Sequence, residues 1–202
     1  MANTLPDPTQ GFQVFGRMEG ASPTAGLQQV WIASTDASLI FRGDPVITSS
    51  LGGTNNSGAY ITIPATGNAI TIRGVFMGLE QYQPGVGRVV WSNFYNGAVT
   101  GSTGDVRAYI CDDPDVLFQV FGSTAAAITS SFIGRNIGFT ANSSTGDTLL
   151  GFSNVTLQST SFGATATFPF RIVDFYSNYA VPGIPNIGPN AVINGTDNTT
   201  PA

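Results

Sequence analysis

The apolar runs of this chain are short, and that limits what it can fold into. Stretches rich in Val, Ile, Phe, Tyr and Thr recur along the sequence and are broken repeatedly by Gly, Pro, Asn and Asp. Runs of strand length with β-branched and aromatic content, punctuated by turn formers, predict an all-β fold, a single β-sandwich or β-barrel domain. The predicted strands are 27–33, 39–41, 46–48, 60–63, 70–79, 86–91, 106–110, 116–121, 137–140, 151–157 and 168–176. Several alternate cleanly: Ile70 and Ile72 share one face with Thr71 and Arg73 opposite, and Phe168, Phe170 and Ile172 share a face with Arg171 on the other.

One stretch departs from this pattern. In STAAAITSSFIG, 123–134, Ser123 or Thr124 can cap a helix, three alanines favour it, Ile128 and Phe132 fall four apart, and Gly134 can end it in the left-handed conformation. A short helix is expected there, with an irregular Ala/Ser loop as the competing reading, because Ser and Thr lower helix propensity.

The expected organisation is a β-rich core over 11–180 between two extended arms, 1–10 and 181–202. The first arm carries Pro6 and Pro8, and the second carries Pro182, Pro185, Pro189 and Pro201 among Gly and Asn, so neither suits a sheet interior. Val181, Ile184, Ile187, Val192 and Ile193 give the second arm apolar anchors that a purely solvating tail does not need. These five residues are the candidate partner contacts. A chain of 202 residues buries roughly 70% of its unfolded surface, which suffices for a core without disulfides, and with only Cys111 no internal disulfide can form. The first ten residues lack a basic start and an apolar run, and no apolar stretch reaches the length of a membrane span, so a soluble protein without the usual export signal is expected.

Charge narrows the partners. Only 9% of residues are charged, against roughly 25% in ordinary soluble domains, and every basic residue is Arg. A surface so poor in charge is expected either to be covered by neighbouring proteins or to be kept wet by Thr and Asn. A net charge of −5 with seven scattered arginines offers no basic stripe for phosphates, so direct nucleic-acid binding is not expected.

The missing residue types also limit the chemistry. Without His there is no Ser/His/Asp or Cys/His pair and no imidazole for zinc; without Lys there is no Schiff base; with one Cys there is no thiolate cluster. Carboxylate chemistry remains, and Glu19 with Glu80 or an Asp cluster would have to supply the acid and base of a glycosidase. No catalytic residue, cofactor or enzyme activity is expected.

The densest acidic cluster is Asp112, Asp113 and Asp115 in YICDDPDVLFQVFG. An EF-hand loop starting at Asp113 needs Gly at its sixth position and Glu at its twelfth, where this chain has Phe118 and Thr124. An irregular cation site using the three aspartates stays open. The simpler reading is a turn between strands, since Asp side chains accept from backbone N–H groups two residues on and Pro114 fixes its own φ. Arg42-Gly-Asp-Pro45 likewise reads as a strand connection rather than an adhesion motif. The sequons at Asn55, Asn142, Asn154, Asn194 and Asn198 follow from general Asn/Ser/Thr richness.

Several segments carry a resemblance when taken in order: FRGDPV (41–46), GVFMGLEQY (74–82), DDPDVLFQV (112–120), IGRNIGF (133–139), TGDTLLGFSNVTL (145–157) and FRIVDFY (170–176). Over roughly 11–180 their order and spacing resemble the head decoration, or cement, proteins of tailed bacteriophages. The resemblance implies a non-enzymatic virion protein, made in the host cytoplasm, that binds the exterior of the capsid head. Its implied partners are the major capsid protein and further copies of itself, as a dimer or trimer, and the implied effect is stabilisation of the head by bridging neighbouring subunits. The alternative is a carbohydrate- or receptor-binding β-sandwich module of a phage tail or fibre, in which Trp31, Trp91, Tyr82 and Tyr95 stack on sugar rings instead of filling the core. A shell-forming subunit is a third possibility, for which the chain is short and lacks the usual long helix.

Overall fold

The structure, a computed structural model, describes residues 10–18, 26–50, 58–67, 70–83, 85, 87–97, 104–122, 130–140, 146–163, 168–176 and 190–194. Its strands in chain order are β1 (Gln13–Arg17), β2 (Gln28–Ile32), β3 (Leu39–Phe41), β4 (Pro45–Thr48), β5 (Ile61–Thr62), β6 (Gly74–Gln83), β7 (Arg88–Ser92), β8 (Phe94–Asn96), β9 (Val106–Cys111), β10 (Val116–Phe121), β11 (Asn136–Phe139), β12 (Gly146–Asp147), β13 (Phe152–Ser153), β14 (Leu157–Gly163), β15 (Phe170–Tyr176) and β16 (Asn190–Asn194). The protein is all-β, as the short punctuated runs require.

One sheet runs β1-β10-β16-β15-β11-β14. A parallel bridge between Gly122 and Leu157 brings β14 back beside the end of β10, so this sheet nearly closes into a barrel. Its interior is aromatic: Phe12 stacks on Phe170 at 4.5 Å and meets Phe118 and Phe139 edge-on at 6.4 and 6.2 Å. Ile137, Leu157 and Ile172 fill in around the rings, all fully buried. Offset and edge-on contacts are the geometries that ring quadrupoles favour, so these four rings hold fixed relative positions as well as burying area.

The second sheet runs β2-β9-β6-β4-β5, with β7 pairing β6 beyond the stretch that β4 holds. Val30, Ile32, Phe76, Leu79, Ala108 and Ile110 face a second core, which Ile40 and Tyr95 of the β3-β8 ribbon complete. Strand β6 serves both cores. Val75 packs into the barrel interior while Phe76 and Leu79 face the second cluster, which explains why 74–79 reads as an unbroken apolar run. A bulge between Phe76 and Gly78 in the β6-β9 pairing re-aims the strand. Beyond it, the face of β6 that turns away from the second core is open to solvent.

Three expectations change. The predicted strand 70–79 begins at Gly74, although Ile72 is buried and Thr71 exposed in the alternation expected. The helix expected at 123–134 is reduced, among the described residues, to one 3-10 turn at Ser130–Phe132, and 123–129 lie outside the described residues. The third change is topological. The arm 181–202 was expected to stay out of the sheet, yet Asn190–Asn194 forms an interior stave of the barrel, paired antiparallel to β10 on one side and β15 on the other.

Candidate functional site

The acidic cluster is a corner between the two sheets. Strand β9 of one sheet leads through Asp112–Asp115 into β10 of the other. Asp113 closes the turn by accepting from the N–H of Asp115 at 3.0 Å, and its other oxygen pairs with Arg17 of β1 at 2.9 Å. Asp112 turns the opposite way and pairs with Arg73 at 3.1 Å, while Asp115 is exposed. The cation site left open for Asp112, Asp113 and Asp115 is therefore not assembled. Two of the three carboxylates are each committed to a different arginine, and no group of three His, Cys, Asp or Glu among the described residues could hold a metal. Cys111, beside the corner, is fully buried, and burial pushes its thiol up to about 11, so it is no nucleophile.

The other sequence candidates also have places. Asp44 of Arg42-Gly-Asp-Pro45 is fully buried: its Oδ2 accepts from the N–H of Phe41 at 2.7 Å, and its carbonyl accepts from Phe76 at 2.8 Å. A carboxylate so enclosed is part of a strand connection and unavailable for adhesion. Glu80 pairs with Arg107 at 3.2 Å; Glu19 lies outside the described residues. So do Val181, Ile184 and Ile187, whereas Val192 and Ile193 belong to β16, where Ile193 stands in register between Phe118 and Ile172. Of the four aromatics, Tyr95 belongs to the core. Its hydroxyl donates to the carbonyl of Asp36 at 3.0 Å, and burial with the nearby Asp36 and Asp105 charges pushes its pKa up to about 12.

Trp91, Tyr82 and Trp31 do not join that core. The register places Trp31 of β2, Arg107 of β9, Glu80 of β6 and Trp91 of β7 side by side in one row across the outer face of the second sheet. Trp91 is 50% exposed, Tyr82 more so, and Trp31 partly. The Trp91 indole lies across the backbone of β6 at Gly78, where an added Cβ would come within 2.3 Å of the ring. That bare patch of backbone lets it reach Tyr109, at 5.3 Å between ring centroids. At the other end, the Arg107 guanidinium sits over the Trp31 ring at 5.7 Å. Arg107 and Tyr109 were not singled out in the sequence; their alternation with the buried Val106, Ala108 and Ile110 marks them as outward-facing.

A second surface feature was also missed. Strands β12 and β13 are joined by a turn in which Asp147 Oδ1 accepts from the N–H groups of Leu149 and Leu150 at 2.8 and 3.2 Å. Gly151, at φ +77°, donates to the Asp147 carbonyl at 2.6 Å, and Asn93 Nδ2 donates to the Leu150 carbonyl at 3.2 Å. The turn is thus held on both sides, and it presents Leu149 at 89% exposure and Leu150 at 52%. Local hydrogen bonding fixes the backbone, while Leu149 is left almost uncovered and Leu150 half-covered.

No family model, curated protein or solved structure matches the chain. Among the described residues, no helix is long and apolar enough to cross a membrane.

Proposed function

We propose that this chain is a structural protein of a tailed-phage virion, without enzymatic activity, that binds the outer surface of the capsid and bridges neighbouring subunits. The observation that carries the reading is the Leu149-Leu150 turn, an apolar knob held rigid by Asp147 and Asn93 before any partner arrives. Two leucines exposed on a fixed turn are costly in water, and the fixed backbone lowers the entropy lost on entering a pocket, which is how a small contact becomes a strong one. The chain as a whole carries few charges to be desolvated, 9% of its residues. Repetition over a capsid multiplies each modest contact through effective concentration.

The reading is tested with L149D/L150D protein added to capsids stripped of it. Occupancy is expected to fall at least tenfold with an unchanged melting temperature; full occupancy by the variant removes the knob from the binding surface. A saccharide- or receptor-binding module of a tail or fibre is the second reading, favoured by the exposure of Trp91 and Tyr82. Electron cryomicroscopy of virions, locating the chain on head or tail, separates the two.

A further inference from the structure

The row on the outer face of the second sheet remains unused by the docking knob. Strands in a sheet lie about 4.8 Å apart, so Trp31, Arg107, Glu80 and Trp91 on four successive strands span about 14 Å. The row has an aromatic ring at each end and an ion pair in the middle, with Tyr109 extending the Trp91 surface along the strands. Tyr82, two residues beyond Glu80 on β6, continues the exposed face.

From this arrangement we infer that the row is a binding site for a neutral, unbranched oligosaccharide of pyranose units. A pyranose has one chemistry on its flat C–H faces and another on its hydroxyl rim, and the row offers both: the exposed Trp91 indole, backed by the half-buried Tyr109, for the ring, and Arg107 and Glu80 as donor and acceptor for vicinal hydroxyls. These groups are held in place beforehand, Arg107 by the Trp31 ring and by its pairing with Glu80, and Trp91 by its seat on Gly78. Preorganised aromatics with a few convergent polar groups are the composition of ligand sites in general.

The same features disfavour other occupants. A protein partner would bury the Arg107–Glu80 pair at the middle of its interface, where charged residues are depleted because desolvating them is costly. A hydroxyl-bearing ligand instead replaces the hydrogen bonds of the water it displaces. A polyanionic glycan meets a chain of net charge −5 whose arginine in this row is already neutralised by Glu80. The inference does not depend on whether the chain sits on a head or a tail.

Both tryptophans of the chain, Trp31 and Trp91, stand in the row, so tryptophan emission, excited selectively over the tyrosines, reports on this face alone. The full chain is titrated with soluble gluco-, manno-, galacto- and N-acetylglucosamine oligosaccharides up to millimolar concentration, with melting temperature as the folding control. At least one series is expected to shift the emission saturably. Trp91→Ala weakens that binding about tenfold or more, Trp91→Phe retains most of it, and Arg107→Ala with Glu80→Ala weakens it without unfolding the chain. Silence across the whole panel overturns the inference, as does binding that Trp91→Ala leaves intact. Loss of self-association or of capsid binding in Trp91→Ala, without any saccharide response in the parent chain, assigns the face to a protein instead.

Discussion

Tyr95 and Trp91 stand four residues apart and have opposite fates. Tyr95 is buried because its hydroxyl finds the carbonyl of Asp36 at 3.0 Å, so the one polar atom of a large ring is satisfied inside. Trp91 stays out because β7 turns that side away from the core and Gly78 provides a seat. No periodicity distinguishes two aromatics whose partners come from other strands, which is why the sequence left all four rings open between core and platform. The Tyr95 environment carries a pH signature. Its folded pKa, about 12, lies above its ordinary 10.0, so the unfolded chain ionises first; stability is full below pH 10 and lost as pH rises towards 12. The loss amounts to about 2–3 kcal/mol at most. Burial also raises Cys111, from 9.0 to about 11, and it adds a loss of the same sign over that lower range. Urea unfolding between pH 8 and 11.5 is expected to show Tyr95→Phe costing about 1 kcal/mol at pH 8 but flattening the upper part of the decline. An equally steep decline in the variant assigns the alkaline loss elsewhere.

Among the elements, the clearest strands were legible where burial is one-sided or complete. Leu39–Phe41 and Val116–Phe121 fall where the alternation puts them, and β2, β4, β9 and β15 lie within two residues of expectation. The runs that failed to announce themselves are those with polar or Gly content, such as Gln13–Arg17 and Leu157–Gly163, whose strand character comes from the neighbours that pair them. Asn190–Asn194 is the extreme case. Flanked by Pro and Asn it reads as a tail, yet it completes a barrel by adding to its own sheet in the way an arm adds to a partner's. Ile193→Pro removes a ladder donor from an interior stave, so it should destabilise the fold by about 3 kcal/mol or more, where a solvent-borne arm would absorb the change. Thermal melts decide between the two: an unchanged midpoint makes β16 dispensable. The acidic corner was legible as a turn from Asp-Pro-Asp, but its second role, pairing with two arginines, depends on Arg17 at the end of β1 and Arg73 just ahead of β6, both distant in the sequence.

For the molecule as a whole, cohesion comes from two apolar cores and a hydrogen-bonded barrel, with charge contributing little. Ion pairs such as Arg17–Asp113, Arg73–Asp112 and Arg107–Glu80 are partly exposed, and such pairs contribute well under about 1 kcal/mol each. Raising sodium chloride from 20 mM to about 1 M should therefore move the unfolding free energy by less than about 1 kcal/mol. A larger fall would reveal an electrostatic contribution that these pairs do not account for. The barrel has a further consequence in time. Leu117 pairs with Asn194, and until residue 194 has emerged from the ribosome both β10 and β15 carry a bare edge. Closing so long a loop comes late and slowly, as non-local strand pairing does. The nascent chain thus waits with an open seam that a sibling's strand fits as well as its own, and dilute, unhurried synthesis should give a larger yield of correctly closed monomer than crowded overexpression.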